Sequence, residues 1–253
     1  MRILISGLCG HMGQAVASLC ENGYRGAHAV YGVDLHPENA TIPCVRQFAD
    51  LDTLPDVPEI DCIVDFSHHT VVHDLLSYAT RHRIPTVIAT TGHTPEEKDE
   101  IATAARTIPV FFAANYSFGI ALLIECAKMA AKALPDAEIE IIETHHDRKL
   151  DAPSGTALAI ADAICDVRPE LYTHCGRNGF GKRAREEIGI HAVRIGNVVG
   201  THEVLLSTGT QTLTLRHEAH DRRLFAEGAL MAAAFLAELP RGTHGLYGMC
   251  DLI

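Results

Sequence analysis

Over roughly the first 112 residues, short β-branched and aliphatic runs alternate with helix-length amphipathic stretches. That alternation predicts β-α-β units feeding a parallel, doubly wound sheet. The expected strands are Arg2–Ser6, His28–Val33, 61–66, 86–89 and 110–112. Between them Met12, Val16 and Leu19 recur at helical spacing, and Thr94, Pro95, Glu96 and Glu97 supply a cap, a first-turn proline and first-turn acids. The pattern changes after Asn115. A long helix over 117–134 is expected, then a strand over 138–144, a polar loop, and another helix beyond Ser154. Gly- and Arg-rich sequence follows, and then alternating runs at 190–195, 203–207 and 210–216 that read as antiparallel strands. An Ala-rich closing helix over 221–238 carries Leu224, Phe225, Leu230 and Phe235 and is expected to be buried on much of its surface.

A chain of 253 residues suits two modest domains, each with its own core. Its formal net charge of −11 sets most of the surface against phosphate backbones and anionic lipid, so neither nucleic acid nor a membrane is an expected partner. An anionic ligand then requires a local positive pocket. Eight scattered cysteines show no C-x-x-C pair and no zinc-type spacing, which suits a reducing compartment. The chain opens on a strand-like run and its longest apolar run, around 229–237, is too short to span a bilayer, so a cytoplasmic location is expected.

Gly7, Gly10 and Gly13 stand as G-x-x-G-x-x-G between an apolar strand and a helix. In that context glycines permit a tight turn and let backbone N–H groups and a helix N-terminus approach a pyrophosphate. A glycine turn with no ligand leaves the same pattern. Asp34 ends the second strand, roughly 20 residues beyond Gly13, where an acid accepts hydrogen bonds from ribose hydroxyls. Its charge opposes a 2′-phosphate, and Leu35 follows it, with His36 and the more distant Arg46 the next basic candidates. NADH is therefore expected over NADPH. A merely solvated acid would leave that preference open.

The stretch from Glu143 to Ala157 is the most informative: His145, His146, Arg148 and Lys149 fall within five residues at a strand end, before Pro153, Ser154 and a helix opened by Gly155 and Thr156. A helix N-terminus with hydroxyl donors favours a carboxylate, so this is the candidate positive pocket. Paired histidines without a further cysteine or acid at ligand spacing make a poor metal site, and no metal is expected. A solvated basic loop remains the plainer alternative.

The same stretch resembles the signature of 4-hydroxy-tetrahydrodipicolinate reductases: two histidines, a lysine, then Asp151-Ala152-Pro153-Ser154-Gly155-Thr156-Ala157. Further segments agree in order, among them Asp65-Phe66-Ser67, Ala89-Thr90-Thr91-Gly92, Ala113-Ala114-Asn115-Tyr116-Ser117, Arg194-Ile195-Gly196, Gly200-Thr201-His202-Glu203-Val204, His217 with Arg223, and Gly245-Leu246-Tyr247. The resemblance implies hydride transfer from a nicotinamide to an unsaturated cyclic dicarboxylate. By it, Lys149 is the proton donor and His145 its partner, while Thr91, His146, Ser154, Gly155 and Thr156 hold the substrate. Gly7, Gly10, His11, Met12, Gly13, Asp34, Phe66, Ala89, Thr91, Ala114, Asn115 and Phe118 fall on the cofactor side. The implied fold is α/β: a Rossmann-type domain of residues 1–116 completed by 220–253, and a central α+β domain of 117–219 whose open mixed sheet makes a homotetramer.

Three departures stand out. His11 replaces an arginine usual in the family, Ala89 a glycine, and Asn197 a second glycine after Arg194. A different nicotinamide-dependent dehydrogenase would share Gly7 to Asp34 but need not carry the 145–156 loop, and a non-catalytic nucleotide sensor would bind without turnover.

Overall fold

The computed structural model describes all residues, Met1–Ile253. The chain divides into two compact units, Met1–Ser117 with Arg223–Ile253, and Phe118–Arg222.

In the first unit the chain runs β1 (Arg2–Ser6), α1 (His11–Glu21), β2 (His28–Val33), β3 (Cys44–Val45), α2 (Phe48–Leu51), β4 (Cys62–Asp65), α3 (Val72–His82), β5 (Thr86–Ile88), α4 (Pro95–Ala104) and β6 (Pro109–Phe112). The second unit supplies α5 (Phe118–Ala133), β7 (Glu138–His145), α6 (Gly155–Val167), β8 (Tyr172–Cys175), β9 (Glu187–Arg194), β10 (Gly200–Ser207) and β11 (Thr212–Ala219). The chain then returns to the first unit with α7 (Arg223–Glu238) and β12 (Gly245–Tyr247).

The sheet of the first unit has the order β12-β6-β5-β4-β1-β2-β3, and every neighbouring pair is parallel. Ile3 and Ile5 face a core shared with Val16 and Cys20 of α1 and Ala229, Ala233 and Leu236 of α7. Leu4, Ile63 and Ile88 face the opposite core, with Leu75 and Ala79 of α3 and Ile101 of α4. Burial on both faces is why these strands read as unbroken apolar runs. Strand order reverses between β1 and β4, so the crevice where such sheets take ligands lies at Gly7 and Phe66, just past their carboxyl ends. The expected cap of α4 is present: Thr94 Oγ1 accepts the Glu97 N–H at 3.2 Å and Glu97 accepts the Thr94 N–H at 2.8 Å.

The second unit is an open sheet in the order β11-β10-β7-β9-β8. One face carries Ile139 and Ile141 of β7, Ile188 and Ile190 of β9, and Val204 and Leu206 of β10, buried against Leu123 and Ala127 of α5 and Ile160 and Ile164 of α6. Each such isoleucine, leucine or valine contributes roughly 1.5–3 kcal/mol by leaving water. The strands β10 and β11 are antiparallel, as expected, but β9 is not: it runs parallel to both β7 and β8. The Gly- and Arg-rich segment before it is a return connection that brings the chain back to the start of the sheet. Arg183 pins that connection, donating to the Ile139 carbonyl and to Glu140, each at 2.9 Å. No helix is long and apolar enough to cross a membrane, and none of the eight cysteines is joined in a disulfide.

Candidate active site

Alternation along β7 puts Ile139, Ile141, Glu143 and His145 on one buried face. The first two belong to the core, and the last two put ionisable groups on that face at the strand's carboxyl end. Register extends the row sideways: Glu143 lies opposite His202 on β10, His202 opposite His217 on β11, and His145 opposite Arg194 on β9.

Glu143 is fully buried and accepts four hydrogen bonds. Arg194 donates from both Nη atoms, 2.8 Å each to Oε2 and Oε1. His145 Nδ1 is 2.6 Å from Oε2, and the Ser154 N–H donates to Oε1 at 2.9 Å. Burial alone would raise this carboxyl's pKa, but the donors outweigh it and hold the group below the usual carboxylate range. An ionised carboxylate only accepts, so Nδ1 of His145 bears the proton and Nε2 is left for other partners. That nitrogen faces Gly200, where a Cβ would stand 3.0 Å away. On the neighbouring strand, His217 is approached so closely by α5 that a Cβ on Gly119 would meet its ring at 2.6 Å.

The polar loop after β7 is tied down at both ends. The Asp147 N–H donates to the Gly196 carbonyl at 3.1 Å, and Arg194 Nη2 donates to the Asp151 carbonyl at 2.5 Å. Within it, Lys149 Nζ pairs with Asp151 Oδ1 at 2.8 Å, while Leu150 projects fully into solvent. Ser154 caps α6, its Oγ accepting the Ala157 N–H at 3.2 Å and lying 3.1 Å from His202 Nε2. Asp151 Oδ2 receives the Gly155 N–H at a long 3.4 Å, so a carboxylate arriving at this helix start displaces a weak contact. Thr156 is half-buried in the first turn. Burial, and secondarily the charges of Arg148, Arg222, His145 and Lys149, push the His146 pKa down, and its Nδ1 is buried without a partner. Burial, with His145 nearby, pushes His202 down to about 4. Both are neutral imidazoles near pH 7.

In the first unit, Gly7 has φ +79° and Gly10 begins α1 without a side-chain cap. A Cβ on Gly7 would lie 2.6 Å from the Phe66 carbonyl oxygen, and one on Gly13 only 2.0 Å from that of Gly7. The turn therefore closes only with glycine, and its backbone is the kind of cradle a pyrophosphate requires. His11 is exposed and Met12 half-buried at the start of α1. Asp34 joins this turn to the one after β2, accepting the Cys9 N–H at 2.9 Å and the His36 N–H at 3.0 Å. Each of its oxygens has a second lone pair beyond these bonds. Arg46 Nε donates to the Leu35 carbonyl at 3.1 Å.

The loops carrying Phe66, Ala89 and Thr91 are held by buried Asp65, which receives Ser67 Oγ at 2.5 Å and Thr90 Oγ1 at 2.6 Å. Burial raises its pKa against the opposing pull of those hydroxyls. Tyr116 fixes the segment bearing Ala114 and Asn115 by sharing its hydroxyl between the carbonyls of Ile88, at 2.9 Å, and Phe111, at 3.0 Å. Phe118 opens α5 in the second unit, whereas Thr91 stays in the first. Sequence reasoning gave no role to Glu143, Arg194, His202 or Asp65. The signal for Glu143 was present, since it shares the parity of Ile139 and Ile141.

Comparison with known proteins gives one answer. The family profile described as "Dihydrodipicolinate reductase, N-terminus" matches residues 1–116, and "Dihydrodipicolinate reductase, C-terminus" matches residues 119–253. The chain is similar to the 4-hydroxy-tetrahydrodipicolinate reductase of Caldanaerobacter subterraneus subsp. tengcongensis, 42% identical over 100% of this chain and 98% of that one. It is similar to that of Alkaliphilus metalliredigens, 40% identical over 100% and 99%. Among solved structures, the dipicolinate-bound dihydrodipicolinate reductase from Paenisporosarcina sp. TG-14 aligns with a TM-score of 0.82 and 26% identity, covering 100% of this chain and 99% of the other. A probable dehydrogenase from Thermotoga maritima, 8% identical with a TM-score of 0.63, shares the fold alone.

Proposed function

Since the chain belongs to the dihydrodipicolinate reductase family, we propose a division of labour in which the first unit binds the dinucleotide and the second holds the substrate and moves the proton. The reaction is the NAD(P)H-dependent reduction of 4-hydroxy-tetrahydrodipicolinate to tetrahydrodipicolinate, in which the 4-hydroxyl leaves as water while a hydride and a proton are added to the ring, in lysine and diaminopimelate biosynthesis. When bound, the nicotinamide supplies the hydride. Gly7, Gly10, His11, Met12 and Gly13 take the pyrophosphate, and Asp34 takes the adenosine ribose. Phe66, Ala89, Thr91, Ala114, Asn115 and Phe118 border the nicotinamide.

The observation that carries the reading is Glu143, buried with four donors, which fixes His145, Arg194 and the start of α6 around one loop. Lys149 emerges from that loop and donates the proton to the reduced ring, with His145 as its partner. The ammonium leaves Asp151 to do so, and the substrate's carboxylate takes over the Asp151 contact at Gly155. His146, Ser154 and Thr156, with Thr91, complete the hold on the two carboxylates. Dipicolinate, which the Paenisporosarcina relative binds, presents the same pair of carboxylates on a planar ring and serves as a stable probe.

Asp34, followed by Leu35 in place of a cation, supports NADH as the preferred cofactor, with NADPH the weaker one. The open face of the second unit's sheet, where Ile142, Val193 and Leu205 are incompletely buried, supports a homotetramer built on that sheet. Eight cysteines, none of them joined in a disulfide, support a reducing compartment, the cytoplasm. The test is absorbance loss at the nicotinamide band with substrate made in situ by the preceding synthase. Synthase-dependent oxidation faster with NADH than with NADPH is expected, and the reverse order removes Asp34 as the determinant.

A further inference from the structure

The hydroxyl of Ser154 has two lone pairs and one hydrogen to place. One lone pair receives the Ala157 N–H at 3.2 Å, and the second neighbour is His202 Nε2 at 3.1 Å. His202 is 4% exposed, and its Nδ1 has no partner. Its ring is edge-on to His145, with centroids 5.1 Å apart, and it faces Glu143 and His217 across the strand register. None of these serves Nδ1: Glu143 already has two donors on each oxygen, and His145 commits its own Nδ1 to that carboxylate.

A neutral imidazole carries its single proton on one nitrogen or the other. With the proton on Nδ1, a buried N–H would have no acceptor, and the Ser154 hydrogen would be spent on Nε2. With the proton on Nε2, only a bare lone pair is left unmet at Nδ1, the more tolerable vacancy in a buried site. Both lone pairs of Ser154 Oγ are then filled, and its hydrogen must point elsewhere. We infer that His202 donates its Nε2 proton to Ser154 and so commits the Ser154 hydroxyl to donate to the substrate carboxylate at the start of α6. His202 is a positioning residue that sets the polarity of the carboxylate site through Ser154. This rests on the reading of Ser154 as a carboxylate holder.

The test compares His202→Gln, His202→Asn, Ser154→Ala and the double variant Ser154→Ala/His202→Asn, by steady-state kinetics and by competitive inhibition with dipicolinate. The amide nitrogen of Gln reaches the position of Nε2, and that of Asn stops at the level of Nδ1. Ser154→Ala and His202→Asn should each raise the substrate KM and the dipicolinate inhibition constant by roughly ten-fold or more, the loss of a hydrogen bond to a charged group. Turnover should fall less than KM rises, and the KM for NADH should hold. His202→Gln should stay close to the unsubstituted protein, and the double variant should be no worse than Ser154→Ala alone. Equal constants for the Asn and Gln variants, or losses that multiply in the double variant, would overturn the inference. Ser154→Ala with unchanged constants would instead remove the carboxylate reading of Ser154, and the role of His202 with it.

Discussion

Glu143 ties the end of β7 to Arg194 of β9 and to the start of α6 through one buried side chain. A buried carboxylate that loses its charge leaves Arg194 without its partner, and breaking a buried pair from one side costs about 3–5 kcal/mol. Because Arg194 is partly solvated, Glu143→Gln is expected to lower unfolding stability by about 3 kcal/mol near neutral pH, read by urea denaturation. The pH dependence has a fixed sign. A carboxyl held below its unfolded value stabilises the fold fully above that value, about 4.3, and loses the contribution as pH falls through the lowered folded value. The gap between Glu143→Gln and the unsubstituted protein should therefore narrow on acidification below about pH 4. A gap that stays constant would show that Glu143 acts through packing instead of charge. The sequence displayed Glu143 at the parity of two core isoleucines, but an acid in a strand also reads as a solvent-facing residue. Its partner Arg194 lies 51 positions away, so only the register of β7 with β9 joins them.

The strand-turn-helix from β1 through α1 was legible because its constraint is local. Gly7 and Gly13 are dictated by backbone approaches around a single turn, and Met12, Val16 and Leu19 mark α1 by their helical spacing. Gly13→Ala would put a Cβ 2.0 Å from the Gly7 carbonyl oxygen, so the turn must open. NADH affinity, measured by fluorescence titration, should fall at least ten-fold while dipicolinate still binds the second unit, a cost of about 1.4 kcal/mol or more. Retained NADH affinity would place the pyrophosphate elsewhere. The direction of β9 was not legible, since alternation reports which face is buried and not which way a strand runs. What turns β9 parallel is the Arg183-pinned return, whose partners Ile139 and Glu140 are more than forty residues earlier. Elements as short as β3, α2 and β12 offer too few positions for any period to register.

On the scale of the molecule, two units with separate cores divide a chain whose net charge of −11 opposes its anionic ligands. Against that field, one buried acid, Glu143, gathers His145, Arg194 and the start of α6, and Lys149 pairs with Asp151 in the loop between them. Assembly through the open sheet predicts a tetramer in sedimentation equilibrium, and a monomer at micromolar concentration would contradict it. The role of the loop is tested most directly by Lys149→Ala, following turnover with NADH alongside NADH affinity in the same preparation. Turnover reduced by roughly 10²-fold or more, with NADH affinity unchanged, is the expected result for a lost general acid. Turnover at the level of the unsubstituted protein would contradict the assignment of the proton to Lys149.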